Sequence, residues 1–218
     1  MQQKIIDNRQ YGLVGDYLKD NIEYNSKLSV AAAHFTLYAF EELKEELLKL
    51  GKFRFIFAQP TFIEHKNKTI NEKIKINENK LFGVEEEISY KRNLNQAYIA
   101  RELSKWIKSK VEIKSIISKS IGESIYHIEN EESIDISITG GSPFSAPGLG
   151  YTNSVSLNHN QFTDNEEFNN NLKSVFDKIW NDENLVKDVK KEILNKLEYL
   201  YKDNSPEFLY FMTLYNIL

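Results

Sequence analysis

Residues 125–158 read IYHIENEESIDISITGGSPFSAPGLGYTNSVSLN, and how this stretch is parsed decides the fold of the chain. Apolar and polar residues alternate through Ile134, Asp135, Ile136, Ser137 and Ile138, the period of a strand with one buried face. The pattern predicts a strand at 125–128, an acidic turn at 130–132, a second strand at 134–139 and a third near 154–158. Between the second and third lie Gly140, Gly141, Gly148 and Gly150. Glycines placed so mark a tight turn or a close approach of backbone. His127 stands on the first strand, and Gly141-Ser142-Pro143-Phe144 follows the second.

Toward the N-terminus, residues 28–35 (LSVAAAHF) read as a short buried strand of small residues, with His34 at its end. A helix follows over 38–50, with Phe40, Leu43, Leu47 and Leu48 on one side. Gly51 stands where a left-handed cap residue is expected. Residues 53–58 (FRFIFA) form a second buried strand closed by Pro60. Strand, helix and strand in this order predict a right-handed parallel crossover and an α/β domain. A shorter helix precedes them at 11–22, through Leu13, Val14, Tyr17 and Leu18. His34 reads either as a hydrogen-bonded strand-end residue or as a catalytic one.

The polar segment 64–80 fits a long excursion or a solvent-facing hairpin, and periodicity does not decide between them. A helix over 95–110 buries Ile99, Leu103 and Trp106 and turns Arg101, Lys105 and Lys108 to another face. Such a basic stripe is the footprint of a phosphate backbone, or simply the wet face of an amphipathic helix. A strand at 111–117 leads into the central stretch. Beyond it, Thr163-Asp164-Asn165-Glu166 fits a capping box that opens a helix to Trp180. Leu172, Val175, Phe176 and Ile179 form the apolar face of that helix. A second helix at 183–201 carries Leu185, Val189, Ile193, Leu197 and Leu200. A third opens at Ser205-Pro206. Apolar around most of its circumference, that third helix calls for a partner surface, and the chain is expected to continue into a further domain.

The 218 residues include 41% hydrophobic residues, 28 basic and 32 acidic ones, for a formal net charge of −4. That content is enough for one domain with a sizeable core and an appended helical part. The balance excludes a polybasic arm as the main device but not a local basic face. There is no cysteine, which removes disulfides, thiolate catalysis and thiolate metal sites. No apolar run approaches the ~20 residues of a membrane span, and MQQKIIDNRQ is not a signal peptide. A cytoplasmic protein without metal or cofactor is the expectation.

The histidine on one strand and the GGSPF loop after the next resemble the phospholipase D-like fold. Together with SVAAAHFTLYAFEELKEELLKLGKFRFIFAQPTF at residues 29–62, the pattern resembles the phospholipase D-like domain at the N-terminus of bacterial superfamily 2 (DEAD/DEAH-type) helicases. The resemblance implies an α/β fold with a mixed sheet flanked by helices over residues 10–180. A helical connector at 181–218 would lead toward a helicase motor in the same parent chain. The phosphate-binding loop of such a motor, G-x-x-x-x-G-K-[ST], is not in this sequence.

The signature of active members is histidine, one residue, lysine, four residues, aspartate, and then G-S-x-N. In that family the histidine attacks phosphorus, a second histidine protonates the leaving oxygen, and lysine and asparagine stabilise phosphoryl charge without metal. His127 matches the histidine and Gly141-Ser142 the G-S pair. Glu129 replaces the lysine, and Ile134 takes the aspartate place with Asp135 one residue late. Pro143 or Phe144 falls on the asparagine, and Ser156 on the third-strand glutamate of nuclease-like relatives. A carboxylate at 129 would repel a phosphodiester and favour a protonated His127.

The resemblance therefore implies a non-catalytic accessory domain of a DNA or RNA helicase, in a restriction-like or genome-defence system. Its partners would be nucleic acid, DNA rather than RNA, and a second copy of the chain. Two alternatives stay open: a metal-independent nuclease using His127, and a protein-interaction platform with no affinity for nucleic acid.

Overall fold

A computed structural model of the chain describes residues 2–60, 62–63, 75–76, 93–154 and 157–203. In chain order the elements are β1 (Gln3–Ile6), α1 (Val14–Asn21), β2 (Lys27–Ala32), α2 (Leu37–Glu42), α3 (Lys44–Lys49) and β3 (Lys52–Phe57). The two-residue strands β4 (Phe62–Ile63) and β5 (Lys75–Ile76) pair only with each other. Then come α4 (Asn93–Lys110), β6 (Val111–Ile116), β7 (Ser124–Glu129), β8 (Ile136–Gly140) and α5 (Ala146–Leu149). β9 (Asn160–Thr163), α6 (Glu166–Asn181), β10 (Val186–Asp188) and α7 (Lys190–Asp203) complete the described chain.

Eight strands form one sheet in the order β1-β9-β8-β7-β2-β3-β6-β10. β2, β3 and β6 run parallel, joined by helical connections, while β7, β8, β9, β1 and β10 pair antiparallel. This is the expected α/β class, a mixed sheet flanked by helices. Both outer strands lie outside residues 10–180, so the sheet draws on β1 at one edge and β10 at the other.

Alternation along the strands sorts side chains onto two faces. One face carries Leu28, Val30, Phe53, Phe55, Val111, Ile113, Tyr126 and Ile138, all buried in the main core with residues of α1, α2, α4 and α7. Phe35, Phe53, Phe55, Tyr126 and Phe144 pack ring against ring at its centre. The other face carries Ala31, Ile56, Ile116 and Ile125 beneath Phe176 and Trp180 of α6. The small residues predicted along β2 include Ala31 in this second layer.

Several boundaries differ from the sequence reading. The helix predicted at 38–50 is two helices that separate at Leu43, whose φ of −109° and ψ of 12° leave helical geometry. Gly51 is not a left-handed cap, because the positive-φ residues here are Asn25 and Asn8 with three other glycines. What position 51 requires is space: a Cβ there would run into the Asn25 side chain and backbone carbonyl. The third strand of the central stretch falls at Asn160–Thr163 rather than near 154–158.

The α6 cap is Asn165, whose side chain accepts from the Phe168 N–H, and not Thr163 as the capping box predicted. Thr163 Oγ1 instead accepts from the Asn165 N–H. Residues 186–188 of the predicted 183–201 helix are the edge strand β10, because β6 otherwise leaves its outer backbone groups unpaired. The helix predicted from Ser205 and most of the polar 64–80 segment lie outside the described residues.

Candidate functional site

His127 sits mid-strand on β7, opposite Ser29 of β2 and Ser137 of β8. Strand alternation sends it to the face beneath α6, where it is 1% exposed. Its Nδ1 lies 2.9 Å from Ser137 Oγ, and its Nε2 is buried without a hydrogen-bond partner. Burial pushes the imidazole below its ordinary value of 6.5, against the opposing influence of Glu129 and Asp135. The sequence expectation had Glu129 favouring the protonated ring. Desolvation outweighs it here, because a charged ring in this buried position would go without the water that stabilises it.

Glu129 lies two residues on, on the same face, and its charge is already matched. Lys173 of α6 hydrogen-bonds its Oε2, and an Arg54 terminal nitrogen lies 3.9 Å from Oε1. Arg54 reaches up from β3 to donate to Asp177 of α6 at 2.7 Å and, through Nε, to Ser29 Oγ at 3.1 Å. Its guanidinium lies over the rings of Phe176 and Trp180. Lys114 of β6 lies over Trp180 and donates to its carbonyl. Glu129, at the position expected for lysine, thus meets cations from α6 and β3, each drawn to a carboxylate. None of these partners was visible from the motif, since Arg54 and Lys173 are far from His127 in sequence. The apolar periodicity of α6 was the one available signal that a helix covers this face.

Ser142 belongs to a different cluster. The Tyr126 hydroxyl donates to the Ser142 carbonyl at 2.8 Å, and Tyr126 points to the face opposite His127. Burial pushes the Tyr126 phenol far up, so it stays a donor. Asn160 closes a two-way bond: the Ser142 N–H donates to its Oδ1 at 3.1 Å, and its Nδ2 donates to Ser142 Oγ at 2.9 Å. Asn8 Nδ2 reaches Ser142 Oγ and the Gly148 carbonyl, while Asn8 Oδ1 accepts from the Val14 N–H. Asn8 holds this position in left-handed backbone, with φ of 58°. It lies before the predicted domain start. The clue to it is the turn-forming Asp7-Asn8 pair directly after an apolar Ile5-Ile6.

The position expected for the motif's asparagine is core. Pro143 leads into Phe144, which is fully buried, stacks on Phe35 at 5.3 Å and meets Phe53, Phe55 and Tyr126. Backbone bonds fix it there: Phe144 N–H donates to the His34 carbonyl, and Thr36 N–H donates to the Phe144 carbonyl. Ser145 then caps α5 by accepting from the Gly148 N–H. Gly148 has no room for a Cβ, because the Pro143 carbonyl lies against it. His34, two residues past β2, is thus a structural neighbour of this loop through its backbone.

The structure therefore does not bring His127 and Ser142 together. They lie in hydrogen-bond clusters on opposite faces of the sheet. Ser156 lies outside the described residues. Arg101, Lys105 and Lys108 are all exposed on α4. Lys105 pairs with Glu102 at 2.7 Å, and Arg101 lies 5.7 Å from the Tyr201 ring. Among the described residues, no group of three or more His, Asp or Glu side chains comes together as a metal site needs. No described helix is long and apolar enough to cross a membrane.

No protein-family model and no curated protein matches the sequence. Among solved structures, the fold is similar to phosphatidylserine synthase from Haemophilus influenzae Rd KW20. That match has TM-score 0.46 and 9% identity, and covers 95% of this chain and 46% of that one. It is also similar to TrmBL2, an archaeal chromatin protein described as showing a novel mode of DNA binding. Here the TM-score is 0.40 and the identity 8%, with 83% of this chain and 52% of that one covered. The chain spans about half the length of each.

Proposed function

We propose that this chain is a phospholipase D-like domain that no longer performs phosphodiester chemistry and serves a helicase as an accessory module, engaging nucleic acid and a second copy of itself. The observation that carries the reading is the burial of His127 beneath α6. A nucleophilic imidazole must present a ring nitrogen to a phosphorus atom. Here Nε2 is enclosed, with Nδ1 turned to Ser137. The two cations nearest it are engaged by Glu129 and Asp177, leaving their charge already matched when a phosphoryl group would need it. Phe144, in the asparagine place, offers a hydrocarbon ring to the core and no amide.

The helicase connection, the preference for DNA and the genome-defence setting rest on the resemblance of residues 29–62 and 125–150 to that family. The surface offered for phosphate contact is α4, with Arg101 and Lys108 exposed and Lys105 shared with Glu102.

The test is incubation of the protein with single- and double-stranded DNA in chelator, alongside His127→Ala. No cleavage by either is expected. Cleavage by the wild type and none by the variant would overturn the non-catalytic reading. A fluorescence titration across salt reads the second part. Binding whose logarithm falls linearly with log salt is expected, with a shallower slope in an Arg101→Glu/Lys108→Glu variant. Absence of any salt-sensitive binding would leave the protein-interaction alternative.

A further inference from the structure

α6 buries one side and leaves an adjoining apolar stripe only partly covered. Asn169, Phe176 and Trp180 face the sheet, with Lys173 bonding Glu129. Phe168, Leu172, Val175 and Ile179 follow a 4-3-4 spacing on the adjoining side, the repeat of a helix-pairing seam. Phe168 is 40% and Val175 48% exposed, and Leu172 and Ile179 are half-buried against the second core layer. Leu172 and Ile179 are thus shared with the core, while Phe168 and Val175 present their apolar surface outward along the same stripe.

We propose that this seam is the surface through which two copies of the chain pair, α6 against α6 in antiparallel fashion. The inference rests on the self-association named above and adds the surface that performs it. Two features commit it to a second copy. A 4-3-4 spacing reads the same in reverse, so a two-fold axis between Leu172 and Val175 sets Phe168 opposite Ile179 and Leu172 opposite Val175. That is the self-complementarity an isologous interface demands. The charges beside the seam obey the same axis. Exposed Glu167 in the first turn and exposed Lys178 near the end lie on the same flank of the seam, so reversal brings each Lys178 within a turn of the partner's Glu167. A parallel arrangement would set like charges side by side.

The absence of cysteine from the sequence makes the test clean. Under mild oxidation, Val175→Cys is expected to form a disulfide-linked dimer, while Tyr24→Cys, at an 87% exposed control site, stays monomeric over the same time. In sedimentation equilibrium of the full chain, Val175→Glu should raise the dimer Kd at least tenfold. Lys178→Glu should weaken it less, and adding Glu167→Lys should restore it, which a merely unfolded variant would not do. Equal cross-linking at both cysteines, or a Kd indifferent to Val175→Glu, would overturn the proposal. A dimer that survives Val175→Glu refutes this surface and leaves self-association standing. A chain that stays monomeric at every concentration refutes both, and neither result bears on the cleavage assay.

Discussion

Phe144→Asn restores the residue type of the asparagine place, and it is expected to cost stability without returning activity. Phe144 is fully buried: its ring centroid lies 5.3 Å from Phe35, 6.0 Å from Phe53 and 6.2 Å from Phe55. Truncating such a ring costs about 3–5 kcal/mol through lost transfer energy and the cavity left behind. The incoming amide is smaller and polar, and its surroundings are aromatic rings, so its unmade hydrogen bonds add about 1–3 kcal/mol. The sum, about 4–8 kcal/mol, is comparable to the whole stability of a typical domain, about 5–15 kcal/mol. Urea unfolding followed by far-UV circular dichroism reads this directly as a fall in midpoint, with Phe144→Leu as the volume-tolerant control expected to lose much less. The reasoning is refuted if Phe144→Asn unfolds within about 1 kcal/mol of wild type, since the loop would then not be seated in the core. It is refuted more sharply if that variant gains cleavage of DNA in chelator.

Further outcomes follow from the same contacts. His127 is held below 6.5 in the folded chain, so as pH falls through 6.5 the unfolded chain takes up a proton that the folded one resists. Stability attributable to this group is therefore complete above pH 6.5 and is lost on acidification down to the folded value, with a slope of up to about 1.4 kcal/mol per pH unit. His127→Gln should flatten the pH dependence of the urea midpoint below 6.5, and an unchanged slope would contradict the assignment. Glu129→Lys, which restores the motif's lysine, places a third cation beside Arg54 and Lys173. It should lower stability by about 2–4 kcal/mol, and added salt should recover part of the loss. Asn8→Ala removes bonds to Val14, Ser142 and Gly148 from a left-handed residue. A loss of about 2–3 kcal/mol in thermal or urea unfolding is expected, whereas Asn8→Gly, keeping the backbone freedom, should lose less.

The sheet was legible because its evidence is local. Alternation in Ile134–Ile138, the buried FRFIFA run and the polar turns between them each declare a strand without reference to anything distant. Where the reading slipped, a contact between remote residues had decided the outcome. Position 51 is glycine because Asn25 occupies the space beside it, and no pattern within the helix 44–49 carries that information. β10 is a strand because β6 leaves an open edge 70 residues earlier in the chain, although its own periodicity reads as helix. β1 and β9 pair with each other at one edge of the sheet although they lie far apart in the chain, and neither is long enough to announce itself.

The site divides along the same line, and this is why the motif misled about its own geometry. Counting from His127 to Ser142 reproduces the spacing of the family signature, but spacing along a hairpin fixes only which positions lie near one another, not which face each side chain takes. Tyr126 and His127 are adjacent in sequence and point to opposite faces; the loop after Gly140 turns toward the Tyr126 side, where Asn8 and Asn160 hold Ser142. Once Phe144 enters the core, the loop cannot swing back to His127 without withdrawing a fully buried ring from four aromatic neighbours. Glu129, where the signature has lysine, depends in the same way on residues remote in sequence. A carboxylate at 129 is tolerated because Arg54 of β3 and Lys173 of α6 come to it, and α6 is also the helix that shuts the imidazole away from any substrate. Restoring one motif residue alone therefore places a misfit group in a closed site and does not reopen it.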